Sequence, residues 1–165
     1  MIYYPKVFGC CSGSIKAIDM ALKLNEEYKD KKVYIYKEIL HNKFIVDYLE
    51  SKNIYCIDDL SIVTKNDILI LRAHGEAKTT YEYLKEHNIT YYDATCINVV
   101  KIHELVTKKH NEGYKIIIIG KYGKYSGTVH PEIIGTIGFC KTEPILIEDY
   151  DDIKKLENLK NNKFV

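Results

Sequence analysis

The clearest pattern along the chain is a series of short, continuous apolar runs rich in β-branched residues. The strongest runs cover 33–36, 68–71 and 116–119, and weaker ones cover 54–56, 90–92 and 145–147. Runs of this length without polar alternation favour strands that are covered on both faces, as in parallel sheets. We therefore predict a strand at each run.

Helical periodicity fills the stretches between these runs. Apolar side chains recur at helical spacing, which predicts helices over 14–28, 42–51, 77–87, 97–112 and 150–158. Because the β-α order repeats, we predict an α/β protein with parallel sheets and right-handed crossovers. A boundary near 93–96 would divide it into two α/β lobes. Their predicted ranges are 1–95 and 96–165.

Composition and charge narrow the possible functions. A net charge of +1 argues against a nucleic-acid-binding surface dominated by bulk charge. No apolar run reaches the roughly 18 residues of a membrane span, and the N-terminus lacks a signal-peptide pattern. We therefore expect a cytoplasmic protein. The five cysteines contain no CxxC pair, so metal binding or redox chemistry is favoured over structural disulfides.

Three histidines follow predicted strands and precede predicted helices, at the edge where parallel sheets bind ligands. They are His41, His74 and His130. Pro131 favours a helix that begins just after His130 and puts Glu132 in its first turn. Imidazoles and helix N-termini suit an anion such as phosphate, and no Gly-rich nucleotide-binding loop is present. We expect the other histidines to be solvated, namely His87, His103 and His110.

Two cysteines occupy similar positions. Cys96 precedes a predicted helix, and Cys11 lies between a possible first strand and the first helix. A thiol at a helix N-terminus has a lowered pKa and becomes the thiolate that binds iron or zinc. We expect structural roles for Cys10, Cys56 and Cys140. The residues thus indicate thiolates for a soft metal or an iron–sulfur cluster, imidazoles for an anionic substrate, and a carboxylate for proton transfer.

Five short segments resemble motifs of one enzyme family, in the family's order and at compatible spacings. They are GCCSG at 9–13, EILHN at 38–42, RAHG at 72–75, DATC at 93–96 and HPEIIG at 130–135. The family is that of 4-hydroxy-3-methylbut-2-enyl diphosphate reductase (LytB/IspH). The resemblance covers the whole chain but only about the N-terminal half of the family's length.

The resemblance implies an iron–sulfur reductase of the non-mevalonate isoprenoid pathway. Cys11 and Cys96 would be two of three thiolates holding a 4Fe–4S cluster, whose fourth iron takes the substrate's hydroxyl oxygen. Glu132 would deliver protons. The residues lining the diphosphate pocket would be His41, His74 and His130. Two electrons, from a ferredoxin or flavodoxin-type donor, and two protons would remove the hydroxyl and yield isopentenyl and dimethylallyl diphosphates.

The sequence departs from the family's pattern in three places. Cys10 replaces the usual Phe beside the cluster cysteine, and 120–129 is several residues longer than the family's approach to HPE. The family's C-terminal half is absent, and that half carries the third cluster cysteine and a Ser-x-Asn segment that contacts the diphosphate. The resemblance therefore implies the family's three-lobed trefoil with the first lobe, most of the second and no third.

Other interpretations stay open. Phe164 and Val165 end the chain as if a strand began there, which also suits a truncated, inactive remnant or one part of a split enzyme. The partner of a split enzyme would be a separate C-terminal half, and a remnant would bind metal or diphosphate weakly at most. A zinc or redox-thiol protein would use Cys10, Cys11 and Cys96, although a structural zinc site usually has four ligands, often with CxxC spacing.

Overall fold

The structure is a computed structural model in which the chain divides into two compact units. The first unit comprises Met1–Ala73 and Ile89–Ala94, and the second comprises His74–Asn88 and Thr95–Val165. The residues that the structure describes are 2–6, 9–124, 127, 129–157, 159 and 163–165. Among them, no helix combines the length and the apolar character needed to cross a bilayer.

A four-stranded parallel sheet forms the centre of the first unit. Its strands are β1 (Val33–Tyr36), β2 (Ile54–Ile57), β3 (Ile68–Leu71) and β4 (Thr90–Asp93), in the order β2-β1-β3-β4. Val33 pairs with Ile54 on one side and with Ile68 on the other, and Ile68 also pairs with Thr90. Every residue of the interior strand β3 is buried. The four apolar runs are therefore confirmed as parallel strands, but cover on both faces holds for β3 and not for the edge strand β4, three of whose four residues are exposed.

The described part of the first unit also contains the α-helices α1 (Ser12–Glu27) and α2 (Lys43–Glu50) and a short 3₁₀-helix (Leu60–Ile62). Ala17, Ala21 and Leu24 are buried on one face of α1, at the i, i+4 and i+7 spacing of a helix that packs through one side. No strand precedes α1 in 2–6 or 9–10, and Val7 and Phe8 of the expected first strand lie outside the described residues.

The second unit is built around a smaller parallel pair of strands. Its elements are α3 (Lys78–Glu86), α4 (Ile97–Asn111), β5 (Ile117–Ile119), α5 (Pro131–Gly138), β6 (Ile145–Ile147) and a 3₁₀-helix (Tyr150–Leu156). β5 pairs with β6 through Ile117 and Ile145. A parallel bridge also joins Lys115 to Phe164, as expected of a strand beginning there.

The last helix and the lobe limits of the chain can be compared with their sequence predictions. The helix predicted over 150–158 is a 3₁₀-helix that ends at Leu156, and Asn158 lies outside the described residues. The lobe limits, 1–95 and 96–165, stay a prediction. The compact units share the boundary near residue 95, but 74–88 belongs to the second unit. The α/β fold class with parallel sheets is confirmed.

The long loop between β5 and α5 closes on itself. An antiparallel bridge joins Tyr122 to Val129, and the backbone N–H of His130 donates to the carbonyl of Lys121 at 3.1 Å. Lys124 then ties the loop to the 3₁₀-helix, because its Nζ donates to Asp152 Oδ1 at 3.2 Å. The longer loop therefore returns the chain to the start of α5.

Asp152 is the buried centre of this attachment. Its carboxylate accepts the backbone N–H of Glu148 at 2.8 Å and forms ion pairs with Lys155 at 2.9 Å and Lys124 at 3.2 Å. The Glu148 N–H and then the two ammonium groups hold the pKa of Asp152 well below its usual range. The ionised carboxylate therefore stabilises the folded second unit.

We expect Asp152→Asn to lower the thermal unfolding midpoint by several degrees at neutral pH, whereas Asp151→Asn has little effect because that side chain is 79% exposed. Because folding lowers the pKa of Asp152, its contribution is complete above the pKa of an unfolded Asp, about 3.9, and disappears as the pH falls further. Thermal melts of both variants and the wild type between pH 7 and about pH 2 measure this. Equal effects of the two substitutions would contradict the assignment.

Candidate functional site

A cluster of one carboxylate and two imidazoles lies in the second unit. Nε2 of His74 is 3.9 Å from Oε1 of Glu132, and Nδ1 of His130 contacts the other carboxylate oxygen. The side chains are 18% exposed at His74, 37% at Glu132 and 58% at His130. The group is therefore open to solvent on the His130 side, where a ligand can enter.

Local sequence explains how this cluster forms. His130 is the residue before α5 and has extended backbone angles (φ −68°, ψ 132°), as a residue preceding proline prefers. Pro131 begins the helix, where its missing N–H costs no hydrogen bond. Glu132 consequently stands in the first turn of α5, near exposed N–H groups and the positive end of the helix. His74 reaches it from the loop before α3.

The expectation that His103 is solvated is wrong. This histidine on α4 is only 4% exposed, and its ring stacks on Phe139 with centroids 4.2 Å apart. His87 is exposed, as predicted, whereas His110 is half-buried. Its spacing from Val106 puts both residues on one face of α4, but that spacing alone does not show that the face is covered.

Cys11 directly precedes α1 in the first unit, and its side chain makes no capping hydrogen bond to the helix. It is exposed, and its Sγ lies 3.3 Å from the Ser14 hydroxyl. The contact with the Ser14 hydroxyl, and after it the nearby backbone N–H groups of Ser14 and Gly13, lower the pKa of the Cys11 thiol. Cys11 is therefore set up to form a thiolate. The neighbouring Cys10 is also exposed.

The remaining candidate residues occupy the predicted places in the chain. Cys96 precedes α4 and is half-buried. His41 lies just before α2 in the first unit, is exposed, and has its Nδ1 3.1 Å from Glu38 Oε2. Burial raises the pKa of both Cys56 and Cys140, which suits packing roles for these two thiols.

The candidate cysteine thiols can be compared with the ligands that an iron–sulfur cluster needs. Cys11 and Cys96 fit in kind, because both are thiols at helix N-termini. They do not fit in number. Within the described residues, no group of three or more His, Cys, Asp or Glu side chains is arranged to hold a metal ion. The described part of the chain does not by itself provide a complete cluster site.

The fold and the site define a parallel α/β protein with a His–Glu–His cluster at a helix N-terminus. Comparison with known families identifies the group: the family described as LytB protein matches residues 2–165. The chain belongs to the LytB family, which confirms the resemblance drawn from the five sequence motifs.

Individual relatives agree with this assignment. A 4-hydroxy-3-methylbut-2-enyl diphosphate reductase from Clostridium tetani is 36% identical over 157 residues, covering 94% of this chain and 24% of the relative. The reductase of the same name from Neorickettsia sennetsu is 33% identical over 151 residues, covering 92% and 48%. The chain therefore spans a quarter to a half of the length of these relatives.

Solved structures show the same likeness. The structure of E-1-hydroxy-2-methyl-but-2-enyl-4-diphosphate reductase from Plasmodium falciparum has a TM-score of 0.87 at 31% identity and covers 96% of this chain and 48% of that one. A second structure, of a reductase described as the terminal enzyme of the non-mevalonate pathway, has a TM-score of 0.76 at 29% identity, covering 89% and 50%.

We expect Ser14→Ala to slow alkylation of Cys11 near neutral pH. Loss of the Ser14 hydroxyl removes the largest cause of the lowered pKa, so the pH profile of the reaction should move to higher pH. Iodoacetamide labelling followed by mass spectrometry measures each cysteine separately. Ser12→Ala is the matched control, because Ser12 is exposed at the start of the same helix. An unchanged Cys11 profile in Ser14→Ala would refute the assignment.

Proposed function

We propose that this chain works in the reductive dehydroxylation of 4-hydroxy-3-methylbut-2-enyl diphosphate to isopentenyl and dimethylallyl diphosphates. Its contribution would be a binding site for the diphosphate and the group that supplies protons. The observation that carries the proposal is the contact of Glu132 with both His74 and His130 at the start of α5.

Diphosphate binding is the first part of the proposal. A dense anion needs several donors at once, and His74 and His130 supply two imidazoles beside the N-terminal N–H groups of α5. Protonated imidazoles give charge-assisted hydrogen bonds, which are stronger than neutral ones. We assign His41, which also precedes a helix, as a third donor to the same anion.

Proton delivery is the second part. In the overall reaction, the C–O bond to the hydroxyl breaks, two electrons and two protons are taken up, and water leaves. Glu132 is the carboxyl group held between two imidazoles, either of which can return a proton to it from solvent. The partial exposure of His130 gives this exchange a route to water. Glu132 is therefore assigned as the acid of the reaction.

The cofactor would be a 4Fe–4S cluster that supplies the electrons. Cys11 and Cys96 would provide two of its thiolates, and a further ligand must come from outside the described residues. A ferredoxin or flavodoxin-type electron donor, a cytoplasmic location and a role as one part of a longer or split enzyme all stay predictions.

We expect inorganic diphosphate to bind the chain, and His74→Asn and His130→Asn each to weaken binding by about 10- to 100-fold, the equivalent of one charge-assisted hydrogen bond. Isothermal titration calorimetry near pH 6.5, where histidine is partly protonated, measures this. His87→Asn is the control, because that exposed histidine stacks on Tyr83 instead. Binding no tighter than that of orthophosphate, or unchanged in both variants, would refute the diphosphate site.

We expect Glu132→Gln and Cys96→Ser to fail in different ways. In a form of the enzyme whose cofactor site is complete, Glu132→Gln should retain diphosphate and reconstituted iron but lose turnover, because the amide cannot donate a carboxylic proton. Cys96→Ser should lose bound iron. Anaerobic reconstitution, iron analysis and turnover with a reduced dye measure these effects, with Cys140→Ser as the cysteine control. Full turnover in Glu132→Gln would remove it from proton transfer, and wild-type chain without turnover would limit the proposal to binding.

A further inference from the structure

His103 occupies a closed space inside the second unit although its helix is rich in charged residues. The imidazole is 4% exposed and stacks on Phe139 of the α5 C-terminus, with an interplanar angle of 18°. Burial of a polar ring is unfavourable unless the surroundings are arranged for it. The position of this ring therefore calls for a physical reason.

Two glycines make room for the ring. A Cβ at Gly75 would lie 2.9 Å from His103 Cε1, and a Cβ at Gly135 would lie 3.3 Å from His103 Nε2. The Gly135 Cβ would also lie 3.4 Å from the carbonyl oxygen of Gly75. Gly75 has φ +78°, a conformation that other residues rarely adopt. The imidazole thus lies against the backbone of two segments that themselves approach each other closely.

Each of these segments carries one partner of the His74–Glu132 pair. Gly75 directly follows His74, and Gly135 stands one helical turn after Glu132 on α5. We propose that His103 is a positioning residue, which sets the separation of His74 and Glu132 by packing against Gly75 and Gly135. Its catalytic importance rests on the proposed function, whereas the positioning itself is a property of this chain.

The distance between the two groups is the quantity that this packing controls. His74 Nε2 and Glu132 Oε1 are 3.9 Å apart, so a small shift of either backbone decides whether they exchange a proton. A misplacement of about 1 Å costs on the order of 100-fold in rate. Removal of the ring leaves a cavity that the surrounding segments fill only in part, which permits shifts of this size.

The test measures the proximity of His74 and Glu132 directly. In the chain with ¹³C-labelled histidine and no other substitution, Glu132→Gln should move the His74 Cε1 signal, because an amide replaces the carboxyl group whose Oε1 lies 3.9 Å from His74 Nε2. In the His103→Ala background most of that shift should disappear. In the His110→Ala background it should persist, because His110 lies on the same helix without these contacts.

Two further substitutions, each combined with Glu132→Gln, distinguish a positioning role of His103 from a general contribution to stability. Gly135→Ala should also reduce the shift, since the new Cβ displaces the imidazole without changing its chemistry. His103→Gln should retain most of it, because a planar amide fills the same space. Circular dichroism checks the fold of each variant. A folded His103→Ala chain that keeps the full shift would overturn the proposal. Unfolding of His103→Ala, His103→Gln and Gly135→Ala alike would also overturn it, because His103 would then be an ordinary core residue.

This measurement uses no substrate, iron or turnover. If the wild-type chain fails to bind inorganic diphosphate, the proposed function is wrong, but the NMR result still decides whether His103 positions the pair. If diphosphate binds with the expected histidine dependence while His103→Ala keeps the full shift, the positioning role alone is wrong.

Discussion

Parallel pairing of short strands is the constraint on which the candidate site depends. Parallel strands require a crossover after each strand, so the carboxyl ends of a sheet are followed by loops and helix N-termini at one edge. In the first unit, β1 is followed by His41 and the start of α2. In the second, β5 is followed by the loop that ends at His130 and α5. Exposed N–H groups and positive helix ends therefore accompany these histidines, which is why the arrangement suits an anion.

The parts of the molecule that local sequence could predict are those set by short-range physics. Continuous apolar runs become strands because no polar alternation permits one solvated face, and all of β3 is buried accordingly. Pro131 favours the start of a helix because its ring fixes a helical φ and it has no N–H to leave unpaired, and in the structure it is the first residue of α5. Cys11, Cys96 and His130 each precede a helix as predicted, because the beginning of a helical period is visible in the sequence.

His103 could not be predicted in this way because its surroundings come from distant parts of the chain. The sequence pattern indicates an apolar face of α4 formed by Val99, Ile102, Leu105 and Val106. In the structure Ile102 and Leu105 are 48% and 47% exposed, whereas His103 and Val106 are buried. The buried stripe is shifted because α4 packs where glycines leave space for an imidazole. The sequence of 97–112 alone does not indicate the space that the glycines leave for the His103 ring, because tertiary packing decides which side of the helix is covered.

The division of the candidate residues between the two units has a consequence for how the chain works. Glu132, His74 and His130 all belong to the second unit, so the contacts among these three side chains need only that unit's own packing, whereas His41, the third proposed donor to the anion, belongs to the first unit. Cys11 belongs to the first unit and Cys96 to the second, so a cofactor that uses both thiols also depends on how the two units are held. The two capacities are therefore separable: a chain able to bind diphosphate through its histidines can still fail to retain iron. Such a result would place the unmet requirement in the cofactor site, because Glu132 already contacts both His74 and His130.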